Sequence, residues 1–314
     1  MASDTVLVTG GAGFIGSNAT RAFIEHFSEV YVLDNLTYAG NRQNLDEIAS
    51  DITFVKGKIQ DRELLHDLYP KVDSVVNFAA ETHVDRSISA GDPFVSTNVH
   101  GSYVAMDTLR DHDIERFIQI STDEVYGSTR SGTFSEGDKL DPSSPYSASK
   151  ASADMFVHAF WETYGLPITV VRPTNVYGPR QHPEKLIPKF ILRALNGEPL
   201  PVYGDGSNVR QWLYVEDFCE ALLHILEDAD SDVYNVSGTD EKTNLEVTHL
   251  ITELVDAPEG LIEFVEDRKG HDYRYSLSDD KIQNELGFSA STDFEEGLQS
   301  TIEWYCQQEE FPSA

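Results

Sequence analysis

Ser121-Thr122-Asp123-Glu124 form one continuous polar tetrad; Tyr146 follows Glu124 by 22 positions, and Lys150 follows Tyr146 by four. Residues four apart on a helix share a face, so the Lys150 ammonium can stand beside the Tyr146 phenol. A free tyrosine titrates near pH 10, and acting as a base near neutrality needs a shift of roughly 3 units, about 4 kcal/mol. A nearby cation supplies part of that. Such a pair suits oxidation of an alcohol, in which the phenolate takes the hydroxyl proton as hydride leaves the carbon. Asp123 and Glu124 add a second capacity. One neutral carboxyl and one ionised carboxylate make a general acid and a general base, the pair needed to expel water from the oxidised intermediate. Together they predict a dehydration that proceeds through a transient oxidation. The blander reading of Asp123 and Glu124 is two more surface acids in an acidic chain.

These groups need a frame. Neighbouring strand residues point to opposite sides, so the chain must bend at Asp123 for both carboxyls to reach one substrate. Short β-rich runs are expected at 5–9, 30–33, 53–55, 74–78, 117–120, 169–171 and 232–236. Helical spacing is expected at 13–27, 61–68, 92–110, 146–164 and 215–226. Alternating strands and helices predict a parallel sheet covered on both faces, an α/β doubly wound fold of the Rossmann type. After Arg172-Pro173 the rhythm changes. Prolines 173, 179, 183, 188, 199 and 201 crowd one stretch with several glycines, which reads as the lining of a second, smaller, mixed lobe rather than regular sheet. The expected division is 1–172 and 207–238 for the first lobe, and 173–206 and 239–314 for the second.

Thr9-Gly10-Gly11-Ala12-Gly13-Phe14-Ile15-Gly16 follows the first strand and opens the first helix. Glycines there let a pyrophosphate approach the backbone at a helix N-terminus, where free N–H groups favour anions. Asp34 ends the second strand 18 residues after Gly16. A carboxylate at that place accepts from the adenosine ribose hydroxyls and repels a 2′-phosphate, so NAD is expected over NADP. Asn77-Phe78-Ala79-Ala80 ends the fourth strand with small residues on which a dinucleotide can lie.

Composition removes other classes. There are 23 basic and 54 acidic residues in 314, a net charge of −31. Nucleic acid and anionic membranes need a basic face. The acidic excess is spread along the chain, which fits a salt-rich (halophilic) cytoplasm where self-repulsion is screened. Cys219 and Cys306 make neither a disulfide framework nor a zinc site, and His83 has no second ligand at metal spacing, so no metal is expected. No apolar run approaches the length of a membrane span, and the chain enters a strand without a signal-like leader; a cytoplasmic protein is expected.

Several stretches resemble the dTDP-glucose 4,6-dehydratases of the extended short-chain dehydrogenase/reductase superfamily. They are Val8 to Ser17, Ala80-Glu81-Thr82-His83-Val84-Asp85-Arg86-Ser87, Ser121 to Gly127, Tyr146-Ser147-Ala148-Ser149-Lys150, Arg172 to Pro179 and Gly204-Asp205-Gly206. They span nearly the whole chain, and Thr122-Asp123-Glu124 is the discriminating element, since sugar-nucleotide 4-epimerases of the superfamily carry small residues there. The resemblance implies a tightly bound, regenerated NAD held by Gly10, Gly13, Phe14, Ile15, Gly16, Asp34, Asn35, Thr37, Lys58, Ile59, Ala79, Ala80, Asn98, Tyr146, Lys150 and Asn175. It implies catalysis by Thr122, Asp123, Glu124, Tyr146 and Lys150. It implies a nucleotide-sugar pocket of His83, Ser87, Thr122, Asn175, Lys185, Leu186, Ile187, Pro201, Tyr203, Arg210, Asn244, Arg268, His271 and Tyr275. Arg210 and Arg268 would clamp the diphosphate. Arg86 would order the wall. The chain departs from the pattern at Lys58-Ile59, where the family usually has Asp-Ile and the acid reaches adenine. Relatives pair the helices equivalent to 92–110 and 146–164 in a four-helix interface, so a homodimer is expected. The rival readings are a UDP-sugar 4-epimerase or decarboxylase, and a non-catalytic NAD-binding regulator.

Overall fold

The computed structural model describes residues 4–267 and 270–308. Its first six strands are β1 (Thr5–Thr9), β2 (Glu29–Asp34), β3 (Ile52–Lys56), β4 (Ser74–Asn77), β5 (Arg116–Ile120) and β6 (Ile168–Pro173). Six more follow: β7 (Asn175–Tyr177), β8 (Leu200–Tyr203), β9 (Val209–Tyr214), β10 (Val233–Val236), β11 (Asp240–Thr243) and β12 (Ile262–Val265). A seven-stranded parallel sheet runs β10-β6-β5-β4-β1-β2-β3. Strand order reverses between β1 and β4, which opens a crevice at their carboxyl ends.

The strand sequences explain why both faces are covered. Val6, Leu7 and Val8 are all fully buried. Val6 and Val8 join a core with Phe23, Phe218 and Leu222, while Leu7 joins another with Leu65, Val104 and Val157. Helices Phe14–Phe23 and Val215–Asp228 pack together on the first face. Helices Arg62–Leu68, Ser102–Thr108 and Pro145–Tyr164 lie on the second.

Helix Pro145–Tyr164 carries Tyr146 and Lys150, and its ends are written in sequence. Ser144 accepts from Ser147 N in a reciprocal capping box, Pro145 takes the first turn, and Gly165 closes the end at φ 63°. The stretch expected as one helix at 92–110 is helical throughout but changes pitch. It runs as α at Asp92–Phe94, π at Val95–Gly101 and α again at Ser102–Thr108.

The second lobe has a three-stranded sheet, β11-β9-β7, and a parallel pair, β12-β8. The proline-rich stretch is more regular than its composition predicts. It holds β7, β8 and the helix Leu186–Leu195, with Pro188 in the first turn, where no intrahelical N–H is required. Within 207–238, β9 pairs with β7 and β11, while Val215–Asp228 and β10 lie with the large sheet. Strand alternation explains the split: Leu213 and Val176 face the first core, whereas Trp212, Tyr214 and Tyr177 face that of the second lobe. The small sheet is the seam between the lobes.

Candidate active site

The glycine turn after β1 is shaped for close approach. Gly10 has φ +71°, and a Cβ on it would stand 2.7 Å from Ala79 N. A Cβ on Gly16 would stand 2.4 Å from Gly10 O, so the third glycine packs helix against turn. Asp34 fixes the rim: Oδ2 accepts from Ala12 N at 2.9 Å and Oδ1 from Leu36 N at 2.7 Å. Burial raises its pKa, against the pull of those two hydrogen bonds. Each oxygen keeps a second lone pair for a ribose hydroxyl. The cradle therefore fits a dinucleotide.

A cavity of about 460 Å³ runs from this cradle along the carboxyl ends of the central strands to the end of β5. Among the expected residues it is lined by Gly10, Gly13, Phe14, Ile15, Gly16, Asp34, Asn35, Thr37, Lys58, Ile59, Ala79 and Ala80 at the dinucleotide end. At the other end stand Thr122, Asp123, Glu124, Tyr146, Lys150, Asn175 and Lys185. The 3₁₀ turn Asp123–Tyr126 begins where β5 stops, and it breaks the strand alternation so that both carboxyl residues line one wall.

The electrostatics of that wall separate its acids. Asp123 is 3% exposed. Burial first, and the Glu124 charge second, push its carboxyl up to about 7. Thr122 Oγ1 donates to Asp123 Oδ1 at 3.1 Å and accepts from Glu124 N at 3.3 Å. Asp123 Oδ2 is buried with no hydrogen-bond partner among the described residues. Asp123 can thus be a neutral acid near neutrality.

Tyr146 behaves differently from the sequence expectation. Burial raises its phenol, the charges of Glu124 and Asp123 add to that, and only a hydrogen bond with Thr122 acts the other way. The two carboxyls oppose a phenolate. The cationic help must come from Lys150 and from a positive ring bound beside it. Lys150 is 4% exposed, and burial brings its ammonium down to about 8, against the attraction of Asp154. Its Nζ donates to Ile120 O at 2.6 Å.

The rim toward the second lobe is held by side chains. Lys185 Nζ donates to Thr82 O at 2.9 Å. Glu184 lies 3.2 Å from Arg86 Nε, 3.7 Å from His83 Nε2 and 3.8 Å from His182 Nδ1. Arg86 stacks 4.0 Å over the Tyr38 ring. Sequence reading missed Tyr38, Glu81, Thr82, Gln181, His182 and Glu184. The signal available was the pair of cations Arg86 and Lys185 near His83, which calls for an acid, and Glu184 is the neighbour of Lys185.

Other expected residues sit behind or beside the cavity. Ser87 is buried; it donates to Val84 O and accepts from Tyr146 N, anchoring the start of the helix Pro145–Tyr164. Asn98 takes Glu81 N and donates to Glu81 O and Ser149 Oγ, bracing the loop after Ala80. His83 accepts from Arg86 N. Ile187 is buried in the core of the second lobe and Leu186 packs on it. Pro201 and Tyr203 lie on β8, Tyr203 edge-on to His271, whose Nδ1 is 2.7 Å from Asp267 Oδ1. Asn244 opens a helix and donates from its backbone to Asn208 O. Arg210, 5% exposed, donates to the carbonyls of Val209, Asp272 and Tyr273 and stacks 4.4 Å from the Tyr275 ring. Its charge reaches Asp123, and Tyr275, which donates to Asp272 Oδ2, feels Glu124. Arg268 lies outside the described residues. Among the described residues no group of three or more His, Cys, Asp or Glu could hold a metal ion, and no helix is long and apolar enough to cross a membrane.

Comparison with known proteins places this architecture. The family described as GDP-mannose 4,6 dehydratase matches residues 7–301. The low-salt glycan biosynthesis protein Agl12 of Haloferax volcanii is 53% identical, covering 97% of this chain and 99% of its own. A dTDP-glucose 4,6-dehydratase of Actinoplanes sp. is 47% identical, over 96% of this chain and 97% of its own. A crystal structure of the dTDP-glucose 4,6-dehydratase of Streptomyces venezuelae, with NAD bound, superposes with TM-score 0.95 at 44% identity, covering 96% of this chain and 97% of that one. The chain belongs to the nucleotide-sugar 4,6-dehydratase family, with the dTDP-glucose 4,6-dehydratases of the extended short-chain dehydrogenase/reductase superfamily.

Proposed function

We propose that this protein is an NAD-dependent hydro-lyase that converts a nucleotide-activated glucose, dTDP-glucose, to its 4-keto-6-deoxy derivative. The observation that carries the reading is the convergence of Tyr146, Asp123 and Glu124 on one end of a cavity whose other end is a dinucleotide cradle. The relatives named above support the substrate. Bound NAD supplies the hydride acceptor at sugar carbon 4 and the hydride donor at carbon 6. Tyr146 Oη takes the proton of the 4-hydroxyl, with Thr122 Oγ1 orienting that oxygen and Lys150 supplying positive charge. The resulting 4-keto group acidifies carbon 5. The Glu124 carboxylate removes the carbon-5 proton, and the neutral Asp123 carboxyl protonates the 6-hydroxyl, which leaves as water. A proton from water, delivered directly or passed through the now-ionised Asp123, then reaches carbon 5, and exchange with solvent returns Tyr146, Asp123 and Glu124 to their starting states. The net change is loss of one water, with the cofactor regenerated.

Asn175, whose Oδ1 is buried without a hydrogen-bond partner among the described residues, and Lys185 contact the nucleotide sugar. Arg210 and Tyr275, stacked on each other beside the cavity, act electrostatically with the carboxyls: the Arg210 charge favours ionised Asp123, and Glu124 acts on Tyr275. A UDP-sugar 4-epimerase or decarboxylase shares the fold but has no use for a neutral Asp123 beside Glu124. We assign the protein to the cytoplasm, where NAD and sugar nucleotides are intracellular metabolites. A homodimer through the helical stretches 92–110 and 146–164 is supported by Val95 and Met155, large apolar residues of those stretches that are 59 and 63% exposed. The net charge of −31 and the Haloferax relative support adaptation to high salt.

The test is incubation with dTDP-, UDP- and GDP-glucose in turn, followed by alkali and near-ultraviolet absorbance of the 4-keto-6-deoxy sugar. The reading expects signal with dTDP-glucose above the others. Signal from none of the three sugars would refute it.

A further inference from the structure

A buried ion pair, Asp154–Arg172, lies behind the two catalytic elements, and the steps above make no use of it. Asp154 follows Lys150 by four positions on the helix Pro145–Tyr164, hence on the same face. The side chains of Arg172 and Asp154 are 6% and 2% exposed. Asp154 Oδ2 accepts from Arg172 Nε at 2.9 Å and from Ser121 Oγ at 3.0 Å. Its Oδ1 is buried with no hydrogen-bond partner among the described residues. Apolar residues of similar volume often stabilise a fold as well as a buried ion pair does. What the pair adds is directed bonds and a field.

Both are aimed at the chemistry. Lys150 holds Ile120 O and Asp154 holds the next residue, Ser121, so the helix grips the two residues immediately before Thr122-Asp123-Glu124. Arg172 reaches the other end of the 3₁₀ turn. Its Nη1 donates to Tyr126 Oη at 2.6 Å, and Tyr126 Oη donates to Asn235 Oδ1 at 2.9 Å. One ion pair thus pins the turn Asp123–Tyr126 at its start and its end.

Asp154, on the same helix, is the charge that acts on Lys150; Tyr146, Asp123 and Glu124 line the same cavity, and Arg172 of β6 is bonded to Asp154. Burial drives Lys150 to lose its proton, and Asp154 is the carboxylate that resists. Arg172 in turn works against burial to keep Asp154 charged.

We propose that Asp154 is a positioning residue for both halves of the reaction. Its carboxylate, held by Arg172, keeps the Lys150 ammonium charged beside Tyr146, and through Ser121 it fixes the turn that carries Asp123 and Glu124. Asp154 itself does not touch the sugar. The inference rests on the dehydratase reading, which wild-type product formation checks separately: no keto-sugar from wild type defeats that reading, whereas product from wild type with indistinguishable variants defeats only this one.

The experiment follows the transient near-ultraviolet absorbance of reduced nicotinamide, for oxidation, and the keto-sugar, for completion, across pH. Asp154→Asn keeps an oxygen for Arg172 and Ser121 but removes the charge. The alkaline limb of the oxidation step, where the ammonium is lost, should move down by about one pH unit, since a close opposite charge shifts a pKa by about 1–3 units. Asp154→Glu should bring the limb back. Ser121→Ala should leave the limb in place but slow elimination, so that reduced nicotinamide accumulates. An unmoved limb in Asp154→Asn, or no accumulation in Ser121→Ala, overturns the proposal. If Asp154→Asn does not melt cooperatively, the milder Ser121→Ala decides it alone.

Discussion

The two lobes hold the cavity by different means. The first works through backbone: buried parallel strands, a glycine turn that admits no Cβ at Gly10 or Gly16, and a 3₁₀ turn that presents Asp123 and Glu124. The second works through long side chains: Lys185 reaching Thr82 O, Glu184 among Arg86, His83 and His182, and Arg210 bound to three carbonyls. A backbone scaffold places reacting groups to fractions of an ångström, which chemistry requires. Flexible charged side chains suit recognition of a substrate that arrives and leaves. Changes in the first lobe should therefore strike turnover, and changes in the second should strike substrate affinity.

The largest expected effect is on the phenol. Tyr146→Phe should lower kcat by about 10²–10⁴, the usual contribution of a positioned acid–base group, with little change in KM. A KM effect with unchanged kcat would break the contrast between the lobes.

Asp123 tests the same lobe through pH. Below about pH 4 its carboxyl is neutral both folded and unfolded. As pH rises from there toward 7, the unfolded chain ionises while the buried carboxyl, held near 7, keeps its proton, so stability falls with pH. Above 7 the penalty is complete, on the order of 4 kcal/mol for about three units. Asp123→Asn should abolish elimination and raise the melting temperature at pH 8 more than at pH 4. Equal effects at both pH values would contradict a neutral buried acid. In the wild type, elimination should decline as pH rises through about 7.

In the second lobe, Lys185→Met should raise KM about tenfold and leave kcat nearly unchanged, the signature of binding shared by ground and transition states. A matching loss of kcat would place Lys185 with the chemistry instead. The smallest effect concerns the whole surface. With a net charge of −31, salt screens self-repulsion, so the melting temperature should rise from dilute buffer to molar salt. Equal values would remove the case for salt adaptation.

The same contrast explains what the sequence revealed. The strands of the large sheet are short apolar runs such as Val6-Leu7-Val8, and the helix that carries Tyr146 and Lys150 announces itself by Ser144, Pro145 and Gly165. Local rules suffice there. That Asp123, Glu124, Tyr146 and Lys150 line one cavity was legible because spacing within one helix and one turn fixes them. The second lobe depends on contacts distant in sequence. Helix Leu186–Leu195 hides in a proline-rich stretch, and β9 divides its side chains between two cores. Neither follows from periodicity in a short window. Ser87 was expected in the substrate pocket and Asn98 at the cofactor, yet both brace loops behind the cavity. The direction of the Tyr146 shift was not legible either, because it depends on two carboxyls brought close by the turn.

The most direct test is Glu124→Gln with dTDP-glucose, observed in a single turnover. The account predicts that near-ultraviolet absorbance of reduced nicotinamide appears and persists while no 4-keto-6-deoxy sugar forms, because carbon 4 is oxidised and the carbon-5 proton has no base. Keto-deoxy sugar formed at the wild-type rate, or no reduced nicotinamide at all, would contradict it.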